Sequence, residues 1–375
     1  MKLFMVAGEK SGDKQGALLI RELQARRSDL EIVGLGGAQM HALAPGIEDW
    51  ADQAGVIGLV EVLKHIRYFA RYLNEMTSRI AAEQPDGLIL IDYPGFNQRL
   101  AERVRKVSPG TKIAWFIAPM VWAWKKGRIP KLAKVLDLMM CTFPFEKPLF
   151  EKAGLRTEFV GHPLVDDILA TRRTDIREKG LIGLFPGSRN REVESNFPVF
   201  MEVVKELRTR HPEWRFETSA SNPILAEKMR QMAREANMPE ELINIAPGSY
   251  HGLMDRAEAA LVTSGTATLE AALHELPFAL VYKVAAFTYW VGRIILTIKY
   301  IGMVNILVDR PVTRELIQHD FNVENCISEL ERLTTPGPRE EVLANMRDSM
   351  SRLGHGGAAA KAAEAVLSLF AGCCD

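Results

Sequence analysis

Three carboxylates in the first half of the chain stand just past short apolar runs. Glu9 and Asp13 follow residues 2–6, and Asp92 follows the fully apolar run 87–91. Ligands gather outside the carboxyl ends of parallel strands, and a carboxylate there can take a proton from a hydroxyl within hydrogen-bond reach. The second half offers the opposite kind of group. Apolar runs at 181–185 and 261–263 lead into Pro186-Gly187-Ser188-Arg189 and Ser264-Gly265-Thr266, and helix-forming sequence follows each. A strand feeding a helix in this way presents unpaired backbone N–H groups at the positive end of the helix dipole, which seats phosphate. Arg189 adds a guanidinium able to fork onto phosphate oxygens. Singly, each turn is equally an ordinary connection. Together, bases in one half and anion-holding turns in the other fit a reaction in which a deprotonated nucleophile attacks while a phosphorylated group leaves.

Other chemistries find less support. Neither turn has the Gly-x-x-x-x-Gly-Lys-Ser/Thr spacing of a P-loop or a Gly-x-Gly-x-x-Gly fingerprint, and no Gly-x-Ser-x-Gly elbow follows a strand. Cys141, Cys326, Cys373 and Cys374 lack zinc-like spacing, so no metal is expected, and the adjacent terminal pair is a poor start for a disulfide framework. A reducing cytoplasm fits that cysteine usage. Asp166-Asp167 sits in a polar segment where solvated charge is the default. His162, between Gly161 and Pro163, suits a structural turn as well as catalysis, and Trp122 and Trp124 can either pack or wall a pocket.

These groups need a scaffold of alternating strands and helices. Strands are predicted at 2–6, 30–34, 87–91, 112–117, 138–142 and 157–160, then at 181–185, 214–219, 259–262 and 278–282. Helices are predicted at 16–26, 192–207 and 224–236, and Leu63, Ile66, Phe69, Leu73, Met76 and Ile80 mark a long amphipathic one. The opposite side of that helix, with Lys64, Arg67, Tyr68, Arg71 and Tyr72, suits water or, following the apolar residues 56–60, an anionic membrane surface. The fold class is α/β, with two parallel domains at 1–165 and 166–345. A helical tail, 346–375, packs back on the first domain or on a partner.

Composition agrees. A chain of 375 residues with 47% apolar residues can fill more than one core. Lysine plus arginine balance aspartate plus glutamate at 47 each, so no overall field attracts nucleic acid. The apolar amino end is too short for a signal peptide. No uninterrupted apolar run reaches the ~20 residues of a spanning helix. The nearest, 284–308, is broken by Arg293 and Lys299 and reads as a buried or interfacial helix.

Taken in order, Gly8-Glu9-x-Ser11-Gly12-Asp13, Asp92-x-Pro94-x-Phe96-Asn97, Val121-Trp122-Ala123-Trp124, Phe143-Pro144-Phe145-Glu146, Gly161-His162, Pro186-Gly187-Ser188-Arg189 and Ser264-Gly265-Thr266-Ala267 with Glu270 resemble the lipid A disaccharide synthase family. Each motif is short, but the ordered set runs from residue 8 past residue 305. The resemblance implies a GT-B glycosyltransferase: two Rossmann-like domains facing a cleft, the first for the acceptor and the second for the nucleotide sugar, with no metal or other cofactor. It implies transfer from UDP-2,3-diacylglucosamine to 2,3-diacylglucosamine 1-phosphate (lipid X), giving a β-1,6-linked disaccharide phosphate and UDP. A homodimer that exchanges C-terminal parts, peripheral on the cytoplasmic face of the inner membrane in Gram-negative bacteria, is implied as well.

By the same resemblance Asp92 is the general base and Glu9 a second functional carboxylate. Ser188, Arg189, Ser264, Gly265 and Thr266 hold the UDP pyrophosphate, and Glu270 the ribose. Ser11, Asp13, Asn97, Trp122, Trp124, Arg128 and Asn305 fall on the acceptor or acyl side. Lys10, where the family usually has alanine, and Met303-Val304-Asn305, where it has Leu-Pro-Asn, depart from the pattern. A UDP-sugar 2-epimerase of the same architecture and a membrane-peripheral nucleotide-sugar-binding protein without turnover are the rival readings.

Overall fold

The computed structural model describes residues 1–50, 59–124, 126–248, 250–283 and 298–371; for 59–68, Trp124 and Lys126 it describes the backbone alone. Of the predicted apolar stretches 56–60 and 284–308, residues 56–58 and 284–297 lie outside the described residues. The described chain forms two compact units, Met1–Asp166 with Leu353–Asp375, and Asp167–Arg352.

The first unit holds strands β1 (Lys2–Ala7), β2 (Glu31–Gly36), β3 (Gly46–Asp49), β4 (Gly87–Ile91), β5 (Lys112–Phe116), β6 (Leu138–Cys141) and β7 (Thr157–Phe159). They pair in parallel in the order β3-β2-β1-β4-β5-β6-β7. The second holds β8 (Glu178–Phe185), β9 (Arg215–Ala220), β10 (Asn244–Pro247), β11 (Ala257–Thr263), β12 (Phe278–Tyr282) and β13 (Glu315–Ile317), again parallel, in the order β10-β9-β8-β11-β12-β13. Strand order reverses at β1/β4 in one sheet and at β8/β11 in the other. Connections that leave in opposite directions open a crevice at such a point.

Alternation along the central strands sends side chains to both faces of the first sheet. Phe4, Val6, Leu88, Leu90 and Trp115 meet Met76, Ile80, Leu100 and Val104 on one face, while Leu3, Met5, Ile89 and Ile91 meet Leu19, Ile20 and Leu23 on the other. The first helix starts at Lys10, a turn and a half earlier than the predicted 16. Gly12 and Gly16 weaken the helical signal, yet here they serve close packing. A Cβ on Gly16 would strike the Met40 sulfur, and one on Gly12 would touch Ala7 at 3.4 Å. Edge strands β3, β10 and β13 are only three or four residues long, too short to show apolar alternation.

The last helix, Ala358–Ser368, is part of the first unit: Ala362, Ala363 and Val366 join the core face made by Leu3, Met5 and Leu138. Asp166 fastens it. Its carboxylate accepts from the amides of Gly357 (2.6 Å) and Ala358 (3.1 Å), at the open N-terminus of that helix. The expected solvated charge is thus a cap supplied from nearly two hundred residues away. Replacing Asp166 with Ala is expected to cost about 0.5–2 kcal/mol, the usual range for a lost N-cap, measured by urea unfolding; an unchanged midpoint would remove the cap from the account.

Candidate active site

Strand β4 ends at Ile91, and the next two residues turn sharply: Asp92 and Tyr93 have φ of 47° and 48°. Non-glycine residues held there cost on the order of 1–3 kcal/mol each, so the surroundings must impose the conformation. They do so with hydrogen bonds. The Asp92 amide donates to Phe116 O (2.9 Å), while the wholly buried Asn97 donates through Nδ2 to the carbonyls of Ile91 (3.2 Å) and Asp92 (2.8 Å). Asn97 thereby positions Asp92 from beneath.

Gly8, Glu9, Gly12, Asp92, Tyr93 and Pro94 line a cavity of about 60 Å³ at the β1/β4 reversal. A Cβ on Gly8 would overlap the Tyr93 ring, so only glycine fits. Burial raises the Asp92 carboxyl above its ordinary range and the Glu9 charge adds to this, against the opposing backbone N–H of Tyr93. A carboxylate so raised is a stronger base in its ionised form. The same two causes, burial first, push the Tyr93 hydroxyl up to about 12.

The other acceptor-side residues divide. Ser11 is exposed on the first turn of the first helix, and Arg128 is half-buried where a 3-10 turn meets the helix Ile129–Val135. Asp13 is engaged by the fold: its oxygens accept from the amides of Gly37 (2.8 Å), Gln39 (3.0 Å) and Met40 (3.0 Å), capping the helix Ala38–Leu43. Asn305 is engaged likewise. Buried in the second unit, it accepts from the amides of Val312 and Thr313 and donates to Thr313 O and Glu315, all within 2.8–2.9 Å. The Trp124 side chain lies outside the described residues. His162 serves the turn: its amide donates to Leu353 O at 2.9 Å, and its Nδ1 accepts from the Leu164 amide.

Trp122 is buried, and its Nε1 donates to Glu146 at 2.9 Å. Glu146, also wholly buried, accepts the Phe143 amide at 3.2 Å, and Phe145 packs edge-on against the Trp122 ring. The sequence displays both residues in motifs but not their pairing, because they stand 24 residues apart.

In the second unit all six nucleotide-side residues, Ser188, Arg189, Ser264, Gly265, Thr266 and Glu270, line one cavity of about 530 Å³. Its two turns are not equivalent. At the first, Gly187 has φ of 115°, and the Glu192 carboxylate already accepts from the amides of Ser188 (2.9 Å) and Arg189 (3.2 Å) and from the Arg189 guanidinium (2.9 Å). At the second, Gly265 (φ 145°) precedes the helix Thr266–Leu273 with no side-chain cap, and Gly265, Thr266 and Ala267 line the cavity, so this helix start is the open anion seat. Buried Asn196 ties the turns together by donating to Pro186 O and Thr263 Oγ1, both at 3.0 Å.

Tyr250, which no sequence signal marks, donates its hydroxyl to Glu270 at 2.8 Å and sets its ring edge-on to Phe185. Burial, then the Glu270 charge, raises that hydroxyl far above its usual range, so it remains a donor. Among the described residues no group of three His, Cys, Asp or Glu side chains could hold a metal ion. No helix among them is long and apolar enough to cross a membrane.

Residues 3–366 match the family described as lipid-A-disaccharide synthetase. The chain belongs to that family. It is 35% identical over 378 residues to the lipid-A-disaccharide synthase of Myxococcus xanthus (strain DK1622), covering 98% of this chain and 97% of the relative. With the synthase of Geobacter sulfurreducens it shares 35% over 380 residues, at the same coverage. Structural likeness is broader. The UDP-GlcNAc 2-epimerase from Neisseria meningitidis superposes with a TM-score of 0.63 at 13% identity, over 98% of this chain and 100% of that one. The calicheamicin glycosyltransferase CalG4 does so with 0.58 at 16%, over 99% of each. These two show a shared two-domain GT-B-like α/β fold. Membership in the lipid-A-disaccharide synthetase family favours lipid A disaccharide synthesis over epimerisation or binding without turnover.

Burial pushes Glu146 up to about 7 from the ordinary 4.5, outweighing the hydrogen bonds from Trp122 and Phe143. A group raised on folding stabilises below its unfolded pKa, and that contribution disappears as pH climbs through the folded value. Relative to Glu146→Gln, which does not ionise, the wild-type chain is therefore expected to lose stability between about pH 5 and about pH 8. Denaturant unfolding of both proteins at each pH checks this, and a constant gap would show that Glu146 does not titrate there.

Proposed function

We propose that the chain transfers a diacylglucosaminyl group from UDP-2,3-diacylglucosamine to 2,3-diacylglucosamine 1-phosphate, giving the β-1,6-linked disaccharide 1-phosphate and UDP. One observation carries this reading: a member of this family bears, at the strand-order reversals of its two sheets, the two kinds of group the transfer requires. The first unit takes the acceptor and the second the nucleotide sugar.

Asp92 accepts the acceptor hydroxyl proton as that oxygen attacks the anomeric carbon. The bond from that carbon to the pyrophosphate breaks with inversion, and its electron pair leaves on UDP. Negative charge developing there is met by the open amides at Gly265–Ala267 and by Arg189, aimed at the leaving group before reaction. Arg189 exchanges its Glu192 partner for phosphate. Glu270, oriented by Tyr250, accepts from the ribose hydroxyls. Glu9 sustains the raised pKa of Asp92, and Asn97 holds the turn that carries it. No metal enters. Acylated substrates place the protein, as a peripheral homodimer, on the cytoplasmic face of the inner membrane.

Asp92→Asn is expected to keep the fold by circular dichroism and to lose on the order of 10²–10⁴-fold in UDP release from the two substrates. Near-wild-type turnover would rule Asp92 out as base. The acid limb of kcat/KM should lie above the ordinary carboxylate range, because burial and Glu9 favour the protonated form. Glu9→Gln removes the second cause, so the limb should move to lower pH; an unmoved limb would detach Glu9 from the base.

A further inference from the structure

The helices Leu59–Glu83 and Pro94–Val107 border a cavity of about 750 Å³ that none of the assigned residues lines. Its floor is aromatic: Phe69, Tyr93 and Phe96 pack around Trp50 with ring centroids 5.0–6.3 Å away. Leu73 and Ala70 extend that apolar wall. Its rim is cationic. Arg99, Arg103 and Lys106 are spaced by four and three residues along one helix, so they share a face. All three are exposed, and none pairs with a carboxylate among the described residues; Arg103 donates to Asn74 Oδ1 at 2.5 Å. Glu102 is the one acid in the lining, and it accepts from Gln98.

Such a volume falls within the roughly 300–1,000 Å³ of small-molecule sites. An apolar floor under a row of cations complements an amphiphile with an aliphatic chain and an anionic head. Guanidinium groups are suited to phosphate in particular. Position narrows the occupant further, because Tyr93 lines both this cavity and the small one beside Asp92. A molecule seated here therefore reaches the base by way of one side chain.

We propose that this cavity seats the acceptor, with an acyl chain on the aromatic floor and the sugar phosphate on Arg99, Arg103 and Lys106. The inference rests on the transferase reading above and adds the acceptor's place to it. It assigns the hold on the acceptor phosphate to Arg99, Arg103 and Lys106, which lie outside the family motifs.

Two variants test it. Arg99→Ala with Lys106→Ala removes exposed charge. Gly95→Leu projects a side chain into open lining space, since a Cβ at Gly95 meets nothing within 4 Å. Binding of bromine-labelled dodecyl phosphate, below its micellar concentration, is read by quenching of tryptophan fluorescence, Trp50 lying directly behind the floor rings. The wild type should bind it more tightly than dodecyl maltoside or inorganic phosphate. The double variant should weaken binding about tenfold or more, as expected for lost charge-assisted bonds, and Gly95→Leu should abolish it.

With both substrates, the variants should raise KM for the acceptor while leaving KM for the UDP-sugar unchanged. Unchanged dodecyl phosphate affinity in both variants would overturn the proposal, as would equal increases in the two KM values. Weakened binding to anionic phospholipid vesicles, with dodecyl phosphate affinity intact, would reassign the cations to a membrane surface and overturn it too. Tight dodecyl phosphate binding without disaccharide formation would sink the transferase reading and leave the amphiphile site standing. Disaccharide formation with unaltered acceptor KM in both variants would do the reverse.

Discussion

Parallel pairing of β1 with β4, and of β8 with β11, is the constraint on which the rest depends. Each pair joins strands whose following helices depart to opposite sides, so the carboxyl ends cannot be covered by a single connection. The Gly8-Glu9 and Asp92-Tyr93 turns are thereby neighbours in one unit, and the Gly187–Arg189 and Ser264–Thr266 turns are neighbours in the other. Neither pair is close in sequence. Buried asparagines then hold the turns, Asn97 beneath Asp92 and Asn196 between Pro186 and Thr263.

Electrostatically the two reversals are built in opposite senses. At the first, burial and a second carboxylate make the charged form of Asp92 costly, which sharpens its appetite for a proton. At the second, an uncapped helix start leaves backbone donors without acceptors, which draws an anion. Glu192 adds a distinction between the two anion-type turns. By occupying the amides of Ser188 and Arg189 it leaves the Ser264–Thr266 turn as the open seat and keeps the Arg189 side chain at the cavity wall.

Much of this was legible in the chain alone. β4 and β12 fall where apolar runs predict them, because a central parallel strand is buried on both faces and needs an unbroken apolar stretch. Motif order points to the family, and the six nucleotide-side residues that the resemblance names share one cavity. Local signals failed where tertiary contact overrides propensity. Gly12 reads as turn but lies in a helix that must approach its neighbours closely. Asp166 reads as a solvated charge, yet its carboxylate is engaged by backbone amides brought from elsewhere, as are the polar atoms of Asp13 and Asn305.

What the sequence determined by itself was the alternation of strands and helices, the turn chemistry and the kinds of reactive group, because those depend on residues within a few positions of one another. The tertiary structure alone decided which carboxylates remain available, that Glu146 meets Trp122 and Tyr250 meets Glu270, and that the last helix closes the first sheet's core. It also gathered Arg99, Arg103 and Lys106 above an aromatic floor drawn from two separate segments and backed by Trp50 from a third. Burial and hydrogen-bond satisfaction are properties of neighbours in space, and only the folded chain supplies those neighbours.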